Sequence, residues 1–94
     1  MSIGLLVLIL QIPGCASLKE KRGRLKPLLA RLHKSFNVSV AEVDDLDIWG
    51  RAVVGCVLVS NEANRTRQML QKTANWVEKE WLDLELEDYQ IEML

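Results

Sequence analysis

The sequence offers no segment that would cross a bilayer as a helix. Its opening apolar run, Ile3 to Leu10, is about half the ~20 residues a spanning helix needs. Only Met1 and Ser2 precede that run, without the basic stretch of a secretory signal, so it reads as a buried strand and points to a cytoplasmic protein with no membrane partner. Cysteine is equally sparse. Cys15 and Cys56 lack CxxC spacing and neighbouring histidines, which argues against a zinc site or a redox pair and leaves reduced, structural thiols. His33 is the single histidine, and no spacing brings a serine or cysteine nucleophile to it. No cofactor and no metal are expected. Asp44, Asp45 and Asp47 lie close together, but the glycine and later glutamate of a calcium loop are missing, so they read as a solvated loop.

What is present is ordinary globular material. An apolar fraction of 49% and a charged fraction of 27% fit neither a disordered chain nor a disulfide scaffold. Ninety-four residues suit one domain, 1–94, of modest stability, because a chain of this length buries only roughly 60 to 65% of its unfolded surface.

The pattern along the chain predicts six elements. Ile3 to Gln11, rich in Ile, Leu and Val, is a strand ended by Pro13-Gly14. Ser17 and Glu20 have the spacing of a capping box, opening a helix whose stripe is Leu18, Leu25, Leu28, Leu29, Leu32 and Phe36. Pro27 inside it deletes a hydrogen bond and predicts a kink between Gly23 and Pro27. Val38 to Val43 is a short strand with Val38, Val40 and Glu42 on one side. Asp44 to Gly50 is a loop, and Arg51 to Ser60 a strongly apolar strand that pairs with the preceding one as a hairpin. Ser60 or Asn61 caps a second helix running to about Glu80, which buries Ala63, Met69, Leu70, Thr73, Trp76 and Val77. Tyr89, Ile91 and Met93 alternate with Asp88, Gln90 and Glu92 as a final strand with one solvated face.

The order βαββαβ is that of an α+β, ferredoxin-like fold: a four-stranded antiparallel sheet with two helices on one face, strands one and three central. Ile3 to Leu10 and Ala52 to Val59 are apolar at nearly every position, so they offer apolar residues to both faces while helices cover only one. The open face is therefore expected to be covered by self-association, as a homodimer or higher oligomer.

Several ordered segments, Ile12-Pro13-Gly14, Ser17-Leu18-Lys19-Glu20-Lys21-Arg22, Asn37 to Val43, Trp49-Gly50-Arg51-Ala52 and Ser60-Asn61, carry a resemblance along nearly the whole chain. The sequence resembles the bacterial YlxP-like family, domain of unknown function 503. That resemblance implies a ferredoxin-like fold but no established activity and no catalytic residues. Some members look linked to ribosome maturation through neighbouring genes, an association only. Cys15 and Pro27 depart from the family's pattern.

Charge is unevenly spread although it sums to −1. Ser17 to Lys34 holds seven basic residues and one acid, and Glu78 to Leu94 seven acids and one lysine. Lys19, Lys21 and Arg22 oppose the dipole at their helix N-terminus, a local violation of the kind found at functional sites. Ser17, Lys19, Lys21, Arg22 and Arg24 are thus the candidate site for an anion or an RNA backbone. The competing reading is a solvated basic face, with Lys21 and Arg22 paired to the acidic tail or to a neighbouring subunit. Trp49 and Arg51 form a candidate partner contact, weighed against packing of Trp49 over the hairpin. Trp76 and Trp81 read as core or subunit contacts.

A non-enzymatic, oligomeric protein whose basic helix binds RNA or a ribonucleoprotein such as the ribosome ranks first. Sheet-stacking recognition of RNA is excluded, because Ala52 to Val59 carries no aromatic residue. A dimeric regulatory or protein-interaction module ranks second. A phosphate-handling enzyme of the acylphosphatase type ranks third, on fold-level analogy alone, since the loop at Gly14 lacks that enzyme's glycine-rich arginine sequence.

Overall fold

A computed structural model describes residues 1–94. The elements are β1 (Ser2–Gln11), α1 (Leu18–Phe36), β2 (Ser39–Asp44), β3 (Arg51–Ser60), α2 (Ala63–Glu80) and β4 (Glu85–Met93). The strands form one antiparallel sheet in the order β2-β3-β1-β4, with β1 and β3 central as expected for the ferredoxin-like fold. No helix is long and apolar enough to cross a membrane.

Alternation along the central strands divides the sheet into two faces. Leu6, Leu8 and Leu10 of β1 and Ala52, Val54, Cys56 and Leu58 of β3 point under the helices and are buried. From above, α1 contributes Leu25, Leu28 and Leu32, and α2 contributes Leu70, Ala74 and Val77, closing one apolar core. Gly4 lets α2 approach β1 closely: a Cβ there would lie 2.6 Å from Thr66 Cγ2 and 2.7 Å from Leu70 Cδ1.

The helix ends differ in detail from the sequence-based expectation. Ser17 caps α1, its hydroxyl accepting from the Glu20 N–H at 3.0 Å. The return bond of a capping box is not made, because the Glu20 carboxylate turns to Arg24 instead. Asn37, at φ 52°, ends α1 in the left-handed region that short polar side chains tolerate. Pro27 is exposed and α1 continues through it, so the helix is not divided there. The cap of α2 is Glu62, whose carboxylate accepts from the Asn64 N–H at 3.0 Å, rather than Ser60 or Asn61. The Ser60 hydroxyl is taken by Thr66 Oγ1 at 2.6 Å, so it serves the packing of α2 on the end of β3. Thr66 and Ala74 replace Ala63 on the buried face of α2, and Ala63 is exposed.

Candidate functional site

The five residues at the start of α1 do not converge on one anion cradle. Ser17 is occupied with its cap. Lys21 is 1% exposed, with Nζ 2.8 Å from Glu42 Oε2 and 2.7 Å from the Asp45 carbonyl. The Glu42 contact is an ion pair outside hydrogen-bond geometry, and a longer contact reaches the Leu46 carbonyl at 3.4 Å. Lys21 therefore ties α1 to the β2–β3 hairpin and presents no charge to solvent.

Arg24 is consumed in a different way. Its Nε donates to Asp83 Oδ2 at 2.9 Å, one terminal nitrogen donates to the Pro13 carbonyl at 2.6 Å and to Glu20, and the other donates to the carbonyl and carboxylate of Asp83. All five donors of the guanidinium find acceptors, which joins the β1–α1 loop, the first turn of α1 and the α2–β4 loop. The hydrogen bonds to Asp83 push the pKa of Arg24 above its ordinary value.

The competing reading let Lys21 and Arg22 pair with the acidic tail or a neighbouring subunit; within the chain Lys21 and Arg24 are the paired residues and Arg22 has no carboxylate partner. A signal for Lys21 was present: it stands at i, i+4, i+7 and i+11 with Leu25, Leu28 and Leu32, inside the buried stripe. Glu42 carries the matching signal, because it shares the inward side of β2 with Val40.

Arg51 is also structural in part. Its Nε meets Asp45 Oδ2 at 2.9 Å and a terminal nitrogen meets Glu87 Oε2 at 3.2 Å, linking the hairpin loop across the sheet to β4. Trp49 is about half exposed beside Leu46 and Ile48, so the hairpin covers only part of the indole. Trp76 and Trp81 pack at the end of α2, with Phe36 edge-on to Trp76 at 5.5 Å and the Arg31 guanidinium 5.3 Å from its ring centre. His33 Nδ1 donates to the Val38 carbonyl at 2.9 Å, at the end of α1. Cys56 lies in the core, where burial pushes its thiol up to about 12.

The wider charge distribution is more orderly than these single residues suggest. The two helices hold eleven of the twelve lysines and arginines and only three acids, a net +8. The strands and loops hold Arg51 and the ten other acids, a net −9. Three cations, Lys21, Arg24 and Arg51, make every ion pair in the fold. The remaining nine, among them Lys19, Arg22, Lys26 and Lys34 on α1 and Arg65, Arg67 and Lys72 on α2, are exposed and have no carboxylate partner. Lys19, Arg22 and Lys26 fall on one outward stripe of α1 by their spacing of three and four. The candidate site is thus a surface, the outer side of the helix layer.

Comparison with known proteins places the chain without adding an activity. A model of a protein family of unknown function, DUF503, matches residues 3–91. The chain is 39% identical over 67 residues to the uncharacterized protein YlxP of Bacillus subtilis (strain 168), covering 71% of this chain and 73% of that protein. The family model covers almost the whole length, and the chain belongs to the DUF503 family.

Proposed function

We propose that this protein is a non-enzymatic binding protein whose helix layer docks on RNA or on a ribonucleoprotein. The observation that carries this reading is the set of nine exposed cations on α1 and α2 that no carboxylate neutralises, in a chain whose total charge is only −1. Surface cations without partners keep their counterions, and releasing those counterions to a polyphosphate drives association. The segregation also orients the molecule, since acidic strands and loops turn away from a phosphate backbone while the helices turn toward it. Lys19, Arg22 and Lys26 form the leading stripe, and Arg67 and Lys72 are exposed cations of α2. The family's association with ribosome maturation makes ribosomal RNA the first ligand to try.

The test is fluorescence anisotropy with a ribosomal RNA fragment, titrated at several salt concentrations. Binding should weaken steeply with salt, and K19E/R22E/K26E should flatten the slope of log K against log salt by about 2, at roughly 0.7 to 0.9 per lost phosphate contact. No binding at about 50 mM salt, where phosphate contacts are strong, removes the RNA reading. A protein-interaction module is the second reading, favoured by the half-exposed Leu46, Ile48 and Trp49 on the hairpin loop. Capture of a protein partner that W49A abolishes, without RNA affinity, would select it.

A further inference from the structure

The side of the sheet opposite the helices is apolar through its centre. Ile3, Leu5, Val7 and Ile9 of β1 lie beside Val59, Val57, Gly55 and Val53 of β3, each directly opposite its neighbour across the ladder. No helix or loop covers them, and Val59 and Val43 are more than half exposed. We infer that this face is a homodimer interface, in which a second copy of the chain packs its own open face against the first.

Three features favour a second copy over any other occupant. The first is area. Strands of ten, ten, nine and six residues at about 3.3 Å rise and about 4.8 Å spacing give a face on the order of 550 Å², before side-chain relief is added, against the ~800 Å² per partner of a stable complex.

The second is shape. Gly55 and Val7 are neighbours at the midpoint of the two central strands. A two-fold axis parallel to the strands, passing between β1 and β3 at that row, lays each β1 on the other copy's β3. Val7 of each copy then faces Gly55 of the other, where the Val43 side chain lies over the glycine, its Cγ1 3.2 Å from the place of a Cβ, and Ala41 is the partner of Gly55 on β2. One surface of small and branched apolar residues thereby meets itself, as a two-fold interface requires.

The third is charge. The open side of β4 presents Glu85, Asp88, Gln90 and Glu92, opposite Gln11, Ile9, Val7 and Leu5 of β1, with the bulged Glu87 reaching Gln11 and Arg51 on the same side. The open side of β2 presents Ser39, Ala41 and Val43, with Asp44, opposite Val53, as its one acid. An axis across the strands would set β4 on β4 and bring these carboxylates together, whereas an axis along the strands sets each β4 over the other copy's β2. The β4 acids become a solvated rim and meet one acid, Asp44, on the facing edge instead of a full set of carboxylates. Both helix layers remain on the outside, facing away from each other, so the dimer inference does not depend on RNA binding. Where that binding holds, the dimer offers two basic surfaces.

Sedimentation equilibrium of the full chain tests the inference. At about 50 µM, above the micromolar end of affinities for interfaces of this area, the mass should be twice the 10.7 kDa of one chain. V57K, with folding checked by circular dichroism, should weaken the dimer at least roughly a hundredfold by placing an unpaired ammonium in the interface. If V57K does not fold, V57T, which keeps the side-chain shape and adds a hydroxyl, should weaken it by roughly tenfold. K19E/R22E/K26E should leave the dimer intact. A monomeric wild-type protein overturns the inference, as does a dimer indifferent to Val57 or one that the helix-layer substitutions dissolve. Loss of RNA binding with the dimer intact refutes only the function proposed above.

Discussion

Lys21 gives the sharpest test of how this fold is held, because it is a charged residue with 1% exposure in the middle of an apolar stripe. Replacement by methionine keeps the length and apolar stem of the side chain and removes only the ammonium. Three acceptors then lose their cation: Glu42 Oε2 at 2.8 Å, the Asp45 carbonyl at 2.7 Å and the Leu46 carbonyl at 3.4 Å. Breaking a buried pair by removing one partner costs about 3 to 5 kcal/mol. Glu42 retains 17% exposure and the two carbonyls belong to a surface loop, so water replaces part of the loss and the cost should be about 2 to 4 kcal/mol. For a domain of this size that is a fall in melting temperature of roughly 10 to 25 °C.

The assay is calorimetry or urea unfolding of the wild type, K21M, E42L and K21M/E42L. The double variant should recover at least half of the K21M loss, because an apolar pair carries no desolvation penalty. The coupling between the two sites should be about 2 kcal/mol. Amide exchange should quicken across Asp44 to Gly50 in K21M, where the hairpin loses its tether to α1. A melting temperature within about 2 °C of wild type for K21M would refute the reasoning, since it would mean that the ammonium contributes nothing net at this site.

Three further outcomes follow from single contacts. Gly4→Ala should destabilise the fold by about 1 to 3 kcal/mol in urea unfolding, because its Cβ would overlap Thr66 Cγ2 and Leu70 Cδ1 at 2.6 and 2.7 Å and push α2 off the sheet. Arg24→Gln should quicken amide exchange in both the β1–α1 and α2–β4 loops at once, since one guanidinium bonds Pro13 and Asp83, and an effect confined to one loop would contradict that bridge. Cys56 should resist thiol reagents in the folded protein, because burial pushes its thiol from 9.0 to about 12. The unfolded chain releases that proton first, so stability should fall between pH 9 and about 12, by roughly 1.4 kcal/mol per pH unit at most. Cys56→Ala should abolish that component, and an unchanged pH slope would contradict it.

Local pattern was enough for much of this molecule. The element order, the central place of β1 and β3 and the stripes of both helices are legible because alternation and helical periodicity record which side of each element meets the core. The apolar open face was legible for the same reason, since Ile3 to Leu10 and Ala52 to Val59 are apolar at successive positions. Smaller errors arose where several polar residues competed for one role. Ser60, Asn61 and Glu62 are all able to accept near the start of α2, and the pull of Thr66 on Ser60 left the cap to Glu62.

Only the tertiary structure decided which charges are available. Lys19, Lys21, Arg22 and Arg24 stand within six residues and look equivalent in sequence, yet two are spent within the fold and two face solvent. The difference comes from partners far along the chain, with Lys21 meeting a carbonyl 24 residues away and Arg24 a carboxylate 59 residues away. A sequence states that a cation is present and on which side of a helix it lies. Whether a carboxylate waits there depends on how the hairpin and the α2–β4 loop return over α1, a matter of chain closure that no local spacing records.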